Sequence, residues 1–321
     1  MGLVVAGDSR HFSGCFVRPY EVTALGYGGL SSSRGGTIMK LSLLSLSYAS
    51  HFRRGDMDML GFLDVCCELG VDGADLHEAA FASVTRADLF SIKRACLDRG
   101  LDIPCVSISN NFACPVDELA AAVVHTKAWI QRAALLGAPQ VRVFSGRPAT
   151  EADRSASWDR CADALRDCAQ FGATEGVVVA LQNHNHLQIA PDGEDVIRLI
   201  NQVDHPNLGH VLDTGQYAGS PGASGYGDDD KGGQHDYLAS IRLTAPLATH
   251  VRAKLYRIAS GVEELLDYDQ IFSILRGLGY NGWVSLVYEG ERVLGRDDRV
   301  DDALEVIPLG VRFLRGHLSA S

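Results

Sequence analysis

The sequence predicts a (β/α)8 TIM barrel, formed by a single domain behind an irregular N-terminal extension. Two observations lead to this fold class. Short apolar runs alternate strictly with helix-period segments after residue 39, and eight such pairs can be counted. No GxGxxG motif follows the first run, and the count of eight favours a closed barrel over an open, doubly wound sheet.

The first 38 residues differ from the rest of the chain. They show no sustained hydrophobic period, whereas a strand-like run begins at once after Met39. We therefore expect residues 1–38 to be a loosely ordered extension and residues 39–321 to be a TIM-barrel catalytic domain. No signal peptide is expected, because the apolar run LVVAG is short and no basic segment precedes it.

The predicted strands are short and rich in Val, Ile and Leu, as parallel strands buried on both faces usually are. They are residues 41–47, 73–77, 103–109, 140–146, 177–183, 208–215, 249–256 and 283–290. The predicted helices are residues 57–69, 86–99, 116–136, 154–171, 193–203, 237–244, 268–278 and 301–314. Glycine follows several of these helices, because it adopts the left-handed conformation that ends a helix without steric strain.

Composition limits the classes of function. The formal net charge of −11 argues against nucleic acid or an anionic membrane as the main partner. No stretch reaches the roughly 18 apolar residues of a membrane-spanning helix. The eight cysteines form no CxxC pair, so we interpret them as reduced thiols and expect a cytoplasmic protein.

Polar side chains cluster at the predicted C-terminal ends of the strands, where the active site of such a barrel lies. They are Ser47, Tyr48, His77, Glu78, Ser109, Asn110, Arg142, Ser145, Gln182, Asn183, His184, Asp213, Gln216, His250, Arg252, Lys254 and Glu289. Carboxylate, amide oxygen and imidazole groups from neighbouring strands can hold Mn²⁺, Mg²⁺ or Zn²⁺. Such a metal polarises a carbonyl group and stabilises an enediolate.

Several of these segments resemble one known family. The runs ALQNHNH, LGHVLDTGQ, ATHVRAKLY and GYNGWVSLVYEG, with GVDGADLHE and LGAPQVRVFSG upstream, are similar to the xylose-isomerase-like barrel superfamily. That superfamily includes many sugar phosphate isomerases and epimerases. The resemblance covers roughly residues 39–315. It implies an isomerase or epimerase that moves a proton next to a carbonyl of a sugar, polyol or keto sugar, assisted by Mn²⁺ or Mg²⁺ rather than Zn²⁺.

The resemblance also implies roles for individual residues. The metal ligands would be Gln182, Asp213 and His250, and the catalytic groups His184, Glu289 and Lys254. The substrate-binding residues would be His77, Glu78, Asn110, Arg142, His186, Gln216 and Arg252. Relatives often form dimers, so the resemblance is compatible with a homo-oligomer, although the sequence identifies no interface. We favour an unphosphorylated substrate, because no P-loop is present.

The chain departs from the family pattern at three positions, and a fourth family residue has two possible counterparts. Gln182 stands where the family has a metal-binding glutamate, and Val287 where it has a second one. Gln216 replaces a histidine that often contacts substrate. The family histidine of the seventh strand aligns with either His250 or Arg252, which lie two apart on one face of that strand. An amide takes no proton at neutral pH, so the usual pair of glutamate bases is absent.

Alternative functions follow from these departures. In the first alternative, the metal is retained in an altered site, and an imidazole of ordinary pKa, about 6.5, is the base. Otherwise the barrel works without metal through His and Lys groups, or it binds sugar without catalysis. A further alternative is a lyase or C-glycoside-cleaving subunit that acts on a 3-keto sugar with a histidine base.

Overall fold

The computed structural model describes residues 39–185, 187–221, 235–290 and 301–319. In it, eight parallel strands close into a barrel in chain order, which confirms the predicted fold class. The strands are β1 (Lys40–Leu44), β2 (Gly73–His77), β3 (Val106–Ser107), β4 (Gln140–Phe144), β5 (Val178–Gln182), β6 (Leu208–Asp213), β7 (Ala248–Leu255) and β8 (Trp283–Tyr288). The predicted extension, residues 1–38, lies outside the described residues.

Helices follow the strands and cover the outside of the barrel. The described α-helices are α1 (Ala49–Arg54), α2 (Met59–Glu68), α3 (Arg86–Arg99), α4 (Val116–Leu136), α5 (Arg154–Glu175), α6 (Gly193–Val203), α7 (Tyr237–Thr244), α8 (Tyr268–Gly277) and α9 (Ala303–Ser319). Side chains that precede several helices accept hydrogen bonds from free backbone N–H groups of the first turn. Asp58, Thr85, Asp192 and Asp267 act in this way.

Some element bounds differ from the prediction. Helix α5 continues past Gly172 to Glu175. Gly172 serves close packing, since a Cβ atom at this position would lie 2.4 Å from the Val177 carbonyl oxygen. The helix ends instead at Gly176, whose φ of 71° is left-handed. Strand β1 stops at Leu44, since a 3-10 turn and helix α1 follow it directly.

The two faces of each strand meet different surroundings. On β7, Val251, Ala253 and Leu255 join the hydrophobic core between barrel and helices. The alternate residues of β7 are His250, Arg252 and Lys254, and all three are buried. Because successive side chains of a strand alternate between faces, these three project into the barrel. The interior of this barrel is therefore polar and charged, unlike the layers of branched apolar residues that fill many such barrels.

The seven described cysteines are free, and six of them are buried. Burial raises the pKa of the Cys105 thiol to about 12 and that of Cys96 to about 11, which keeps both thiols protonated at neutral pH. None of the helices in the described part of the chain is long and apolar enough to span a membrane.

Candidate active site

Lys254 connects two carboxylates at the C-terminal ends of the strands. Its Nζ lies 3.0 Å from Glu289 Oε2 and 3.3 Å from Asp213 Oδ2. All three side chains are buried. Gln216 donates from Nε2 to Glu289 Oε2 at 3.3 Å, so the loop after β6 also reaches this carboxylate. The structure thus brings together four residues that the sequence placed in one site.

Asp213 is held rigidly at the end of β6. Its backbone N–H donates to the side-chain oxygen of Asn183 at 2.8 Å, and its Oδ1 accepts from the N–H of Gly215 at 3.1 Å. Burial raises the pKa of the Asp213 carboxyl group, while the positive charges of Lys254 and Arg252 oppose that rise. The two cations therefore favour the ionised form of this buried carboxyl group.

Gln182 joins Asp213 to Arg252. Its Nε2 donates to Asp213 Oδ2 at 2.9 Å, and its Oε1 accepts from Arg252 Nη1 at 2.7 Å. The second terminal nitrogen of Arg252 contacts the hydroxyl group of Ser107, on the opposite side of the barrel. An amide suits this position because it donates to a carboxylate and accepts from a guanidinium at the same time.

His250 belongs to a different layer of the barrel. Its Nε2 lies 2.7 Å from Asp75 Oδ2, and both side chains are fully buried. The strand register explains the separation: Asp213 pairs with Arg252, whereas His250 pairs with Val211, two residues deeper in β6. Arg252 and not His250 therefore lies level with Asp213. The structure thus brings Gln182 and Asp213 together and places the His250 side chain against Asp75.

The residues present do not fit a divalent cation. Across the described ranges, no group of three or more His, Cys, Asp or Glu side chains is placed to hold a metal ion. The oxygen atoms of Gln182, Asp213 and Glu289 already contact the cationic groups of Arg252 and Lys254. A metal at the same oxygen atoms would face two positive charges, so we derive no chemical step through one.

Arg142 lies inside the barrel on β4, where it is 1 % exposed. Its Nη1 donates to the carbonyl oxygen of Ile108 at 2.8 Å, and its Cζ lies 3.9 Å from the centre of the Phe144 ring. The imidazole of His184 packs edge-on against the same ring, with ring centres 4.9 Å apart. His184 is thereby placed beside the site, in contact with Phe144. The predicted His186 lies outside the described residues.

The predicted substrate-binding residues of β2 and β3 make contacts within the protein. Glu78 accepts from the backbone N–H of Ser109 at 2.5 Å and pairs with His125 Nε2 at 2.8 Å. Asn110 exchanges two hydrogen bonds with the backbone of Phe144. His77 accepts the backbone N–H of Ala79 through Nδ1. Polar atoms of all three residues thus form contacts within the protein. The predicted contacts of these residues with a substrate remain predictions.

Some members of the polar interior were absent from the predicted site. Asp75 and Ser107 lie two residues before His77 and Ser109, on the same faces of β2 and β3. Counting back by two from each strand end would have identified both. His125 comes from helix α4, and no local signal in the sequence connects it with Glu78.

Comparison with known proteins now settles the family. The model of the family described as xylose isomerase-like TIM barrel matches residues 63–315, which is most of the chain. The chain belongs to this family. None of the curated proteins compared with this xylose isomerase-like barrel matches it in sequence.

Solved structures share the fold of this xylose isomerase-like barrel. D-psicose 3-epimerase from Clostridium cellulolyticum H10 is 17% identical, with a TM-score of 0.68, and 88% of this chain and 100% of that chain are covered. 3-keto-D-glucoside 4-epimerase from E. coli is 17% identical, with a TM-score of 0.63, and 87% of this chain and 99% of that chain are covered. A probable 3-DHS dehydratase from Bacillus anthracis is 17% identical, with a TM-score of 0.63, and 86% of this chain and 99% of that chain are covered. At such identities the likeness shows the fold.

Proposed function

We propose that this protein is an enzyme that transfers a proton at the carbon next to a carbonyl group of a sugar or keto sugar, as an isomerase or epimerase does. The observation that carries the proposal is the contact of Lys254 with both Glu289 and Asp213 at the strand ends. Two carboxylates and a cation in a buried site supply a proton acceptor and a positive charge for a developing oxyanion. The family membership and the sugar epimerases among the structural neighbours support it.

In the proposed reaction Glu289 accepts the proton from the substrate carbon. Lys254 donates a hydrogen bond to the carbonyl oxygen and stabilises the negative charge that develops there. Asp213 holds Lys254 in place, and Gln216 orients the carboxylate of Glu289. As an isomerase, Glu289 then returns the proton on the same face to the neighbouring carbon. As an epimerase, a second acid must protonate the original carbon from the opposite face while Glu289 gives its proton to solvent. His184 remains a second candidate base, beside Phe144.

Solvent isotope exchange tests the proposal. We expect the wild-type protein, in D₂O with a panel of ketoses and 3-keto sugars, to incorporate deuterium next to a carbonyl of at least one compound, as seen by NMR. Lys254→Met and Glu289→Gln should each slow this exchange by about 100-fold or more. His184→Ala should slow it by more than about tenfold if its imidazole is the base instead.

Lys40→Met is the matched control, since Lys40 begins β1 at the opposite end of the barrel and pairs with Asp102 at the surface. It should exchange at the wild-type rate. Sugar binding without deuterium incorporation at any carbon would contradict the proposal and favour a binding protein. Exchange accompanied by loss of a leaving group would favour the lyase, which begins with the same proton abstraction.

A further inference from the structure

Among the described residues, no carboxylate contacts either of two buried arginines in the barrel. Arg142 projects from β4 and Arg252 from β7, and they are 1 % and 2 % exposed. Arg142 contacts a carbonyl oxygen and an aromatic ring, whereas Arg252 contacts an amide oxygen and a hydroxyl group. The Nε atom of each is buried without a hydrogen-bond partner in the described structure. Buried charges are normally paired, so both guanidinium groups retain unused binding capacity.

The two guanidinium groups converge on one place in the barrel. Arg252 crosses from β7 to reach Ser107 on β3, and Ser107 lies in register with Arg142 on the neighbouring strand. Burial, together with the positive charge of Arg252, holds the pKa of Arg142 well below its ordinary value. Two like charges brought together away from water destabilise each other unless an anion comes between them.

The carboxylates nearby have other partners. Asp75 is bound by His250, and Asp213 and Glu289 share the single ammonium group of Lys254. None of these three carboxylates is a direct ion-pair partner of Arg142 or Arg252 among the described residues.

We propose that Arg142 and Arg252 bind a carboxylate of the substrate, so that the enzyme acts on a sugar acid and not on a neutral sugar. This inference rests on the proposed function, because it takes the same strand-end cluster as the substrate site. A planar carboxylate matches the hydrogen-bonding edge of a guanidinium group.

A panel of matched ligands tests the inference on the wild-type protein. D-glucuronate and D-galacturonate differ from D-glucose and D-galactose by a carboxylate, and the two hexose 6-phosphates carry a phosphate instead. Isothermal titration should show at least about tenfold tighter binding of a uronate than of its hexose, since charge-assisted hydrogen bonds add affinity of this order. Acetate alone should raise the Tm, because it needs only the two arginines.

Two variants test whether Arg142 and Arg252 bind the carboxylate of the ligand. Arg142→Met and Arg252→Met should each abolish the preference for uronate over hexose and the effect of acetate. Without ligand, Arg142→Met should melt no lower than the wild type, because an arginine kept for a ligand does not stabilise the empty barrel. Arg94→Gln is the control, since Arg94 lies on the outside of α3 and pairs with Asp98. It should keep the wild-type preference.

Several results would overturn the inference. They are equal affinity for uronate and hexose, tighter binding of the 6-phosphates, no rise in Tm with any anion, or a large fall in the Tm of unliganded Arg142→Met. The comparison of ligands on the wild type needs no variant, so it stands even if a variant fails to fold. Uronate binding without deuterium exchange would contradict the proposed function alone, and exchange on neutral sugars without anion binding would contradict only this inference.

Discussion

At the scale of single residues, strand register determines which side chains meet. Gln182 and Asp213 contact each other, as expected from adjacent strand ends. The partner from β7 could not be chosen between His250 and Arg252, because both share one face of the strand. The choice depends on how β6 and β7 align, and a register shift between His210 and Val211 sets that alignment. Hydrophobic patterning carries no information about such a shift.

The pair formed by His250 and Asp75 leads to a prediction about stability. Leucine in place of His250 leaves Asp75 as a buried carboxylate without its partner. We expect this change to lower the free energy of unfolding by about 3–5 kcal/mol, measured by urea denaturation. The double variant Asp75→Leu, His250→Leu should lose less than the single variant, because it removes the unpaired group. A loss below about 1 kcal/mol for His250→Leu would show that the pair has no structural role.

At the scale of elements, the strand and helix pattern was predictable while some bounds were not. The alternation of apolar strands with helix-period segments located all the strands of the barrel. Residues 45–47, which belong to the 3-10 turn Ser45–Tyr48, were assigned to the first strand, since their sequence continues the same apolar run. Tertiary contacts decided the end of α5, where Gly172 serves close packing and not helix termination. Local propensity cannot distinguish these two uses of glycine.

Helix α7 packs against β6, the strand that carries His210. Its Nδ1 lies 2.8 Å from the Leu181 carbonyl oxygen and its Nε2 lies 3.1 Å from the Tyr217 hydroxyl group. Burial lowers the pKa of His210 from 6.5 to about 4. Below pH 6.5 the unfolded chain therefore gains a proton at this imidazole that the folded protein does not bind.

Stability should consequently fall as the pH decreases from 6.5 to 4. The contribution of His210 is about 3 kcal/mol over this window and is fully present above pH 6.5. Denaturation of the wild type and of His210→Gln at several pH values measures it. The variant should be less stable at neutral pH but should lose less stability on acidification. Parallel pH profiles for the two proteins would contradict this assignment.

At the scale of the whole molecule, the sequence predicted the fold and the family of the barrel but not its chemistry. The motifs at the strand ends carry the family signal, and the family model confirms it over residues 63–315. The function depends on the contents of the barrel interior, where Arg252 and Lys254 contact the oxygen atoms that the sequence had assigned to a metal. Departures such as Gln182 and Val287 showed that the site was altered, but only the assembled barrel shows what stands in its place.

The central claim is that the positive charge at this site is supplied by the protein's own side chains. Deuterium incorporation by the purified wild-type protein, measured before and after exhaustive chelation, tests it most directly. We predict that the exchange rate is unchanged by chelation, that added Mn²⁺ or Mg²⁺ does not increase it, and that Lys254→Met slows it by about 100-fold or more. Exchange that stops on chelation and returns with Mn²⁺ would contradict the account and restore the metal site predicted from the sequence.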